Sequence, residues 1–293
     1  MNQYHLNTIK KIVIVSDIKG KSDSIIPYGL RLAKHLHAEV DIIHVVDSRS
    51  QHGVHSRYAD SQSITPGNKM SYEEILQREI NISNKAIKKV LSREASVLNY
   101  PLKINTIVEE NSILNCLNSL TENVLDVLVL LSSEPDNYIF HSKKEIIETF
   151  KKSNLPSLIV PPGAEYYEFN KVLLATTFGS SNGFEKHMRA YSFLSKFHPL
   201  INAVDVAKPH KHLEKEIMSK AWLQVAENIA FLSPIKTNVL TGNSYLETLL
   251  SYLKKTEPDM VIFNKKTQGL FSNWDDNKLA KKLIENANCP VLY

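Results

Sequence analysis

Glycine and cysteine are both scarce in this chain of 293 residues, and each shortage excludes a class of protein. There are nine glycines, so loops in which backbone N–H groups cradle phosphate have few residues from which to form. The two cysteines, Cys116 and Cys289, lie far apart in the sequence. This spacing argues against a disulfide framework, and we expect two buried thiols.

Long apolar runs and a strong net charge are also missing. No apolar run is long enough to span a bilayer and the N-terminal residues do not form a signal peptide, so we expect a cytoplasmic protein without a membrane partner. The formal net charge of +4 is too small to indicate a nucleic acid partner. The hydrophobic fraction of 43% is typical of globular proteins, and the length admits two domains.

One layout of strands and helices occurs twice in the chain. Four segments recur in the same order: KIVIVSD (11–17) and KVLLATT (171–177); NSIL (111–114) and NSYL (243–246); DVLVL (126–130) and DMVIF (259–263); NLPSL (154–158) and NCPVL (288–292). Two copies of one supersecondary unit account for this shared order. The first copy is longer because of a polar stretch, 47–69, which we interpret as a loop or lid.

Strands and helices alternate in each copy. Continuous apolar runs such as 12–15 and 127–131 are typical of strands buried on both faces of a parallel sheet, and the capping boxes Ser71–Glu74 and Ser142–Glu145 predict helix starts. We therefore predict domains over 1–162 and 171–293 with a linker at 163–170. In such sheets a ligand lies beyond the carboxyl ends of the strands, so the loops after Val15, Val46 and Leu131 are the expected site.

Two such units resemble a tandem universal stress protein, of the UspA-like family. The segments that carry the resemblance are IVIVSD (12–17), HVVD (44–47), DVLVLLS (126–132), LPSLIVP (155–161), DMVIF (259–263) and CPVL (289–292). The resemblance implies an α/β fold of two doubly wound, five-stranded parallel sheets in tandem. This Rossmann-like fold is the one also found in adenine nucleotide alpha hydrolases.

Members of one type in this family bind ATP through the pattern Gly-x2-Gly-x9-Gly-Ser/Thr, which starts at the end of the fourth strand. The matching positions here are Leu131, Glu134 and 144–145 in the first copy, and Asn264, Thr267 and 277–278 in the second. None of them is glycine, and the carboxylate of Glu134 would repel phosphate. The resemblance therefore implies a standard phosphate-binding loop in neither copy.

The adenine pocket of the family is better matched. The resemblance places Asp17 and Val45 where the base would be held, while the second copy has Thr177 and Val206. Asp17 has an equal alternative role as a helix cap. We predict a remnant adenine pocket at Asp17 and Val45, with Lys21 and Ser132 as further cleft contacts.

Two other kinds of motif are better explained as turn and loop residues than as phosphate-binding or metal-binding sites. Gly20-Lys21-Ser22 resembles the end of a P-loop, but Val15 stands where that loop needs its first glycine, so a polar turn is the better interpretation. The pairs His52/His55 and His210/His212 lack further ligands at metal-binding spacing and are interpreted as loop histidines. We therefore expect no bound metal.

The functional prediction is a stress-response binding or regulatory protein with degenerate nucleotide sites, which does not hydrolyse ATP and needs no cofactor. Its partner would be a small ligand or a protein client. The alternative is an ATP-binding sensor or a nucleotide-handling enzyme that holds phosphate differently, through Lys19, Lys21 or 47–69. Under that alternative, ATP or another adenine nucleotide is the ligand.

The assembly prediction concerns the last strand of each copy. Universal stress proteins commonly dimerise by placing such strands antiparallel, and an unpaired apolar edge strand favours association. Here we expect 157–160 to pair with 290–293 inside one chain, as an intramolecular pseudo-dimer. Any further homodimer would then use helical surfaces.

Overall fold

The computed structural model describes residues 9–16, 18, 25–46, 71–99, 101–120, 126–133, 143–153, 155–178, 193–229, 233–263 and 276–292. The strands of this part are β1 (Lys11–Val15), β2 (Glu39–Val46), β3 (Ile104–Glu110), β4 (Val127–Ser132), β5 (Ser157–Val160), β6 (Lys171–Ala175), β7 (Leu200–Ala207), β8 (Ile235–Thr241), β9 (Met260–Phe263) and β10 (Val291–Leu292). The α-helices are α1 (Ile25–Leu36), α2 (Tyr72–Leu98), α3 (Ile113–Ser119), α4 (Lys143–Ser153), α5 (His212–Ile229), α6 (Tyr245–Thr256) and α7 (Asp276–Asn286).

The strands form one sheet in the order β3-β2-β1-β4-β5-β10-β9-β6-β7-β8. Within each half all neighbouring strands are parallel, and the second half repeats the order of the first. The central strands are buried on both faces, which is why their sequences are continuous apolar runs rather than alternating ones. The predicted pair of doubly wound, five-stranded parallel sheets is therefore confirmed.

The two sheets are continuous with each other rather than separate, because their last strands pair. Val291 of β10 lies opposite Ile159 of β5, and Leu292 lies opposite Leu158, in antiparallel register. The predicted contact between 157–160 and the end of the chain is thus present, although the second strand has two residues in this register. All four of these side chains are buried at the joint.

Helices cover both faces of the sheet, and the antiparallel joint decides which helices share a face. One face carries α1, α2 and α5, and the other carries α3, α4, α6 and α7. On the second face α4 packs against α7 across the joint. On the first face α1 lies close to β1, since a Cβ atom at Gly29 would come within 2.4 Å of Cδ1 of Ile14.

The segment between the halves is anchored to the protein by two of its aromatic residues, Tyr166 and Phe169. Phe169 is fully buried, and its ring centroid lies 4.8 Å from that of Phe197. The Tyr166 ring meets that of Tyr28 of α1 edge-on at 5.4 Å, and burial raises the pKa of both phenols. This aromatic cluster joins the linker to both halves on the face that carries α1.

Helix α2 begins at a capping box and packs on the same face of the sheet as α1. The Ser71–Glu74 capping box is confirmed, with Glu74 N donating to Ser71 Oγ and Ser71 N donating to Glu74 Oε2. Ile87 and Val90 are buried on the face of the helix that packs against the core. Glu94 is buried on the same face, where its carboxylate lies 3.6 Å from the Arg31 guanidinium of α1. Its other cationic partner is its neighbour Arg93, whose Nε donates to Glu94 Oε1 at 3.3 Å. The contact with Arg31 joins two helices, so helical periodicity alone could not reveal it.

Two predictions from the absences can be checked directly. Cys116 and Cys289 are both free thiols, as expected. Cys116 is buried and its Sγ donates to Glu109 Oε1, whereas Cys289 is only half-buried, so the prediction of two buried thiols is correct for the first alone. Among the described helices none has the length and apolar character needed to cross a membrane.

Candidate functional site

The strand order locates a candidate cleft in each half. The order reverses between β1 and β4 in the first half and between β6 and β9 in the second, and ligands of open α/β sheets bind at such reversals, beyond the carboxyl ends of the strands. Because β5 and β10 are antiparallel, the carboxyl ends of the two halves lie at opposite edges of the joined sheet. The two clefts are therefore separate sites.

In the first half the described part of the cleft lies at the ends of β1, β2 and β4. Val45 is buried in β2 opposite Glu109 of β3. Ser132 is half-buried at the last position of β4, opposite Val160. Two of the four predicted contacts can thus be placed at the carboxyl edge. The other two, Asp17 and Lys21, lie outside the described residues.

A buried histidine supports this edge, and the sequence analysis did not single it out. His44 of β2 is 2% exposed, and its Nδ1 lies 2.7 Å from the carbonyl oxygen of Ser16, directly after β1. Because a carbonyl oxygen only accepts hydrogen bonds, Nδ1 carries the hydrogen. Ser16 N in turn donates to Ile43 O at 2.8 Å. His44 therefore holds the end of β1 against β2, where the chain leaves the sheet towards the cleft.

The second half has a different group at the same place. Thr176 N donates to Val204 O at 3.0 Å, as Ser16 N does to Ile43 O, so Asp205 occupies the position of His44. Asp205 is also 2% exposed. A buried carboxylate requires several donors or a cation to offset its lost hydration.

Asp205 has both kinds of partner within the chain. Its Oδ2 accepts hydrogen bonds from Phe178 N at 3.0 Å and from Lys215 Nζ at 2.8 Å, and its Oδ1 accepts from Val206 N at 2.8 Å. Lys215 Nζ also donates to Phe178 O at 3.0 Å. The ion pair of Asp205 and Lys215 thus binds both backbone groups of Phe178, three residues beyond β6.

This charge also influences the start of α6. Burial, and then the nearby carboxylate of Asp205, raise the pKa of Tyr245 above its usual range. The phenol is therefore neutral at physiological pH, and it lies on the side of β7 and β8 opposite α5. The end of β7 is consequently occupied from both sides by groups of the chain itself.

In the pair His210/His212, the side chain of His212 binds groups of the protein itself. His212 Nδ1 lies 2.9 Å from Thr241 Oγ1 and its Nε2 lies 3.2 Å from Glu216 Oε1, so both ring nitrogens face groups of the protein. Within the described ranges, histidine, cysteine and carboxylate side chains form no group of three or more that could hold a metal ion. His52 and His55 lie outside those ranges.

The positions of the glycine signature can be examined at the end of β4. Leu131 is buried in β4 opposite Ile159, so its side chain belongs to the core. Ser133 N donates to Val160 O at 2.8 Å, which commits this amide to the sheet. Several predicted positions lie outside the described residues: 19–22, 47–69, Glu134, 142, Asn264 and Thr267. For 144 and 277–278 the backbone is helical, in α4 and α7.

No protein-family model matches this chain, and no curated protein sequence matches it. Solved structures do match, over nearly the full length. A universal stress protein from Archaeoglobus fulgidus DSM 4304 superposes with a TM-score of 0.62 at 12% identity, covering 97% of this chain and 96% of that one. A candidate universal stress protein from Pseudomonas aeruginosa UCBPP-PA14 gives a TM-score of 0.56 at 12% identity, with coverages of 98% and 93%.

A third match is a domain of a larger protein. The cytoplasmic domain of a prokaryotic cation chloride cotransporter has a TM-score of 0.54 at 15% identity, and the match covers 97% of this chain and 94% of that domain. Together with the strand order, these likenesses define the class: a two-copy, Rossmann-like α/β protein. More particularly, the chain has the fold of tandem universal stress proteins, as its motifs predict.

Proposed function

We propose that this chain is a binding or regulatory protein of the universal stress protein type, located in the cytoplasm, with degenerate nucleotide sites and no ATP hydrolysis. The observation that carries the proposal is the ion pair of Asp205 and Lys215 at the end of β7. The two side chains bind each other and the backbone of Phe178. They do so at the edge of the sheet where a ligand of the second copy would be held. At this edge, groups of the chain itself take the place that a ligand of the second copy would need.

In the first cleft, the side where phosphate would bind departs from the family pattern more than the side where the base would bind. Its phosphate side has a leucine, Leu131, where the family pattern has glycine, and the amide of Ser133 is already bound to Val160. Backbone N–H groups that are used inside the sheet cannot bind phosphate. Its base side retains Val45 at the edge and Asp17 in the sequence. We propose that any nucleotide affinity belongs to this copy.

The alternative function is an ATP-binding sensor or nucleotide-handling enzyme with a non-standard phosphate contact. The asymmetry of the two clefts favours it in one respect, because among the described residues a buried ion pair stands at the edge of the second cleft, at Asp205 and Lys215. In that case the phosphates would be held by Lys19, Lys21 or 47–69. Measurement of ATP binding separates the two proposals.

A protein partner is also consistent with the fold. The match to the cytoplasmic domain of a cation chloride cotransporter, which covers 97% of this chain, supports this possibility. We also propose that the antiparallel β5–β10 joint replaces the dimer contact that universal stress proteins commonly make, so that one chain acts as a pseudo-dimer with domains at 1–162 and 171–293. The client would then bind a preformed pair of domains.

The test is a calorimetric titration with ATP and magnesium. We expect weak binding or none, and no phosphate release on prolonged incubation. A dissociation constant in the low micromolar range would contradict the proposal. If ATP does bind, Asp17→Ala should weaken it more than the matched variant Thr177→Ala, because only the first copy retains the acidic residue.

A second measurement can identify a ligand without prior choice. Mass spectrometry of small molecules released from the purified, denatured protein should show no ATP in stoichiometric amount. Another small molecule released at one equivalent would support a binding function and name its ligand. ATP at one equivalent would support the sensor.

A further inference from the structure

Helix α5 is apolar on both of its faces. Its inner face buries Trp222 and Ala226 against the sheet. Its outer face exposes Leu213 (71%), Ile217 (64%) and Val225 (50%). Ala221 is exposed between the last two. These four residues follow each other at intervals of one turn, so they form one continuous row, which we call the α5 stripe.

Helix α2 of the first half provides a comparison on the same face of the sheet. It also exposes apolar residues, Ile82 (45%) and Val97 (60%), but these lie four turns apart. Isolated apolar residues are normal on a protein surface, whereas a contiguous exposed apolar row is typical of an interaction surface. The α5 stripe is therefore a feature that needs a partner.

The charges beside the α5 stripe indicate which partner fits. Glu216 and Lys220 are both exposed and lie one turn apart on the same flank of the stripe. When two copies of α5 cross antiparallel at the level of Met218, Glu216, two residues before it, faces Lys220, two residues after it, in the second copy. The twofold axis repeats this pair, so two opposite-charge contacts form at once.

The apolar residues fit the same register. Ile217 then enters the space between Ile217 and Ala221 of the second copy, and Leu213 enters between Ala221 and Val225. The small side chain of Ala221 leaves room for these larger ones, as in ridges-into-grooves packing. Apolar and charged residues are thus self-complementary in a single arrangement.

We propose that the α5 stripe is an interface between two copies of this chain, paired antiparallel about a twofold axis. The proposal goes beyond the proposed function, since it concerns neither cleft. One helix from each copy gives an interface at the small end of specific contacts, so the dimer forms and dissociates with concentration. Each chain has two separate clefts, so the dimer would have four.

Sedimentation of the full chain across a range of concentrations tests the proposal. We expect a shift from one chain of 33.3 kDa to two at micromolar concentration. Ile217→Glu should weaken the association by about 100-fold or more, because the change is made in both copies. The matched variant Val97→Glu on α2 should leave the association unchanged. Circular dichroism and thermal unfolding check that both variants fold.

A charge exchange tests the register itself. Glu216→Lys and Lys220→Glu should each weaken association, since like charges then face each other, and the double variant should restore it. A chain that stays monomeric at high micromolar concentration overturns the proposal. An unaltered dimer in Ile217→Glu also overturns it, and failure of the double variant to restore association overturns the antiparallel register.

Discussion

The two halves differ most at one equivalent pair of positions, His44 and Asp205. Both side chains are buried, and each binds backbone just beyond the central strand of its half, β1 or β6. They are equivalent because the residue before each one, Ile43 or Val204, accepts a hydrogen bond from the first backbone N–H after that strand. In the first half an imidazole makes one bond to Ser16 O. In the second half a carboxylate with its own cation fixes both N–H and C=O of Phe178. The repeat has therefore kept the fold while changing the polar group that fixes the chain after the central strand of each half.

The difference in charge has an energetic consequence. The buried imidazole of His44 donates a hydrogen bond to Ser16 O, and its removal costs that bond and leaves a cavity. A buried carboxylate and ammonium depend on each other, because either one alone would be an uncompensated charge in a dry environment. The second cleft should therefore be the more rigid of the two and the more sensitive to substitution.

We expect the largest effect from removing the β5–β10 pairing, which makes the two halves one sheet. Deleting 290–293 removes the buried side chains of Val291 and Leu292 and exposes β5 as an edge. We expect a loss of about 3–6 kcal/mol in the free energy of unfolding, together with aggregation. Urea unfolding and light scattering measure these effects. A truncated protein that is as stable and soluble as the full chain would contradict the role of the joint.

Asp205→Ala should have the next largest effect, since it leaves the ammonium of Lys215 without its buried partner. We expect a loss of about 3 kcal/mol in the free energy of unfolding. Lys215→Ala and the double variant complete a cycle, in which the double variant should cost less than the sum of the single ones. Strict additivity in urea unfolding would show that the two groups are not coupled.

His44→Ala should cost less, about 2 kcal/mol, because it removes one neutral hydrogen bond and leaves a cavity. His44→Asn is the control, since its amide nitrogen can take the place of Nδ1 and donate to Ser16 O. The same urea measurement ranks the variants. A cost for His44→Ala that equals or exceeds that of Asp205→Ala would reverse the proposed order of the two clefts.

The smallest effect concerns the two thiols, one in each half. Burial, then the hydrogen bond to Glu109, raises the pKa of Cys116 to about 12, and burial, then the charge of Asp259, raises the pKa of Cys289 to about 12. A raised pKa means less thiolate, so alkylation by iodoacetamide at pH 8 should be roughly 1,000-fold slower than in urea, where the pKa returns to about 8.5. Mass spectrometry distinguishes the two sites. Rapid labelling of either cysteine in the folded protein would contradict its shielded state.

Much of the fold could be predicted because its signals are local. The apolar runs that became β1, β4 and β5 and the capping box at Ser71 depend on neighbouring residues alone. The pairing of β5 with β10 was expected from the resemblance to universal stress proteins, whose last strands commonly pair, together with the tendency of an unpaired apolar edge strand to associate.

The candidate site was predicted only where it matched a known pattern. Val45 and Ser132 lie at the carboxyl edge, and their role as cleft contacts stays a prediction. The groups that distinguish the two halves, His44 and Asp205 with Lys215, were not singled out. A polar residue inside an apolar strand run is the signal that was available, at His44 in 40–46 and at Asp205 in 200–207. Its partner cannot be read from such a run.

The sequence by itself determined the repeated order of strands and helices, since hydrophobic periodicity and capping act between residues a few positions apart. Only the tertiary structure decided which polar groups meet at each carboxyl edge. Phe178 and Asp205 are 27 residues apart and His44 and Ser16 are 28 apart, so no local pattern links them. They meet because parallel strands must return through a helix, which brings distant residues to the same edge of the sheet.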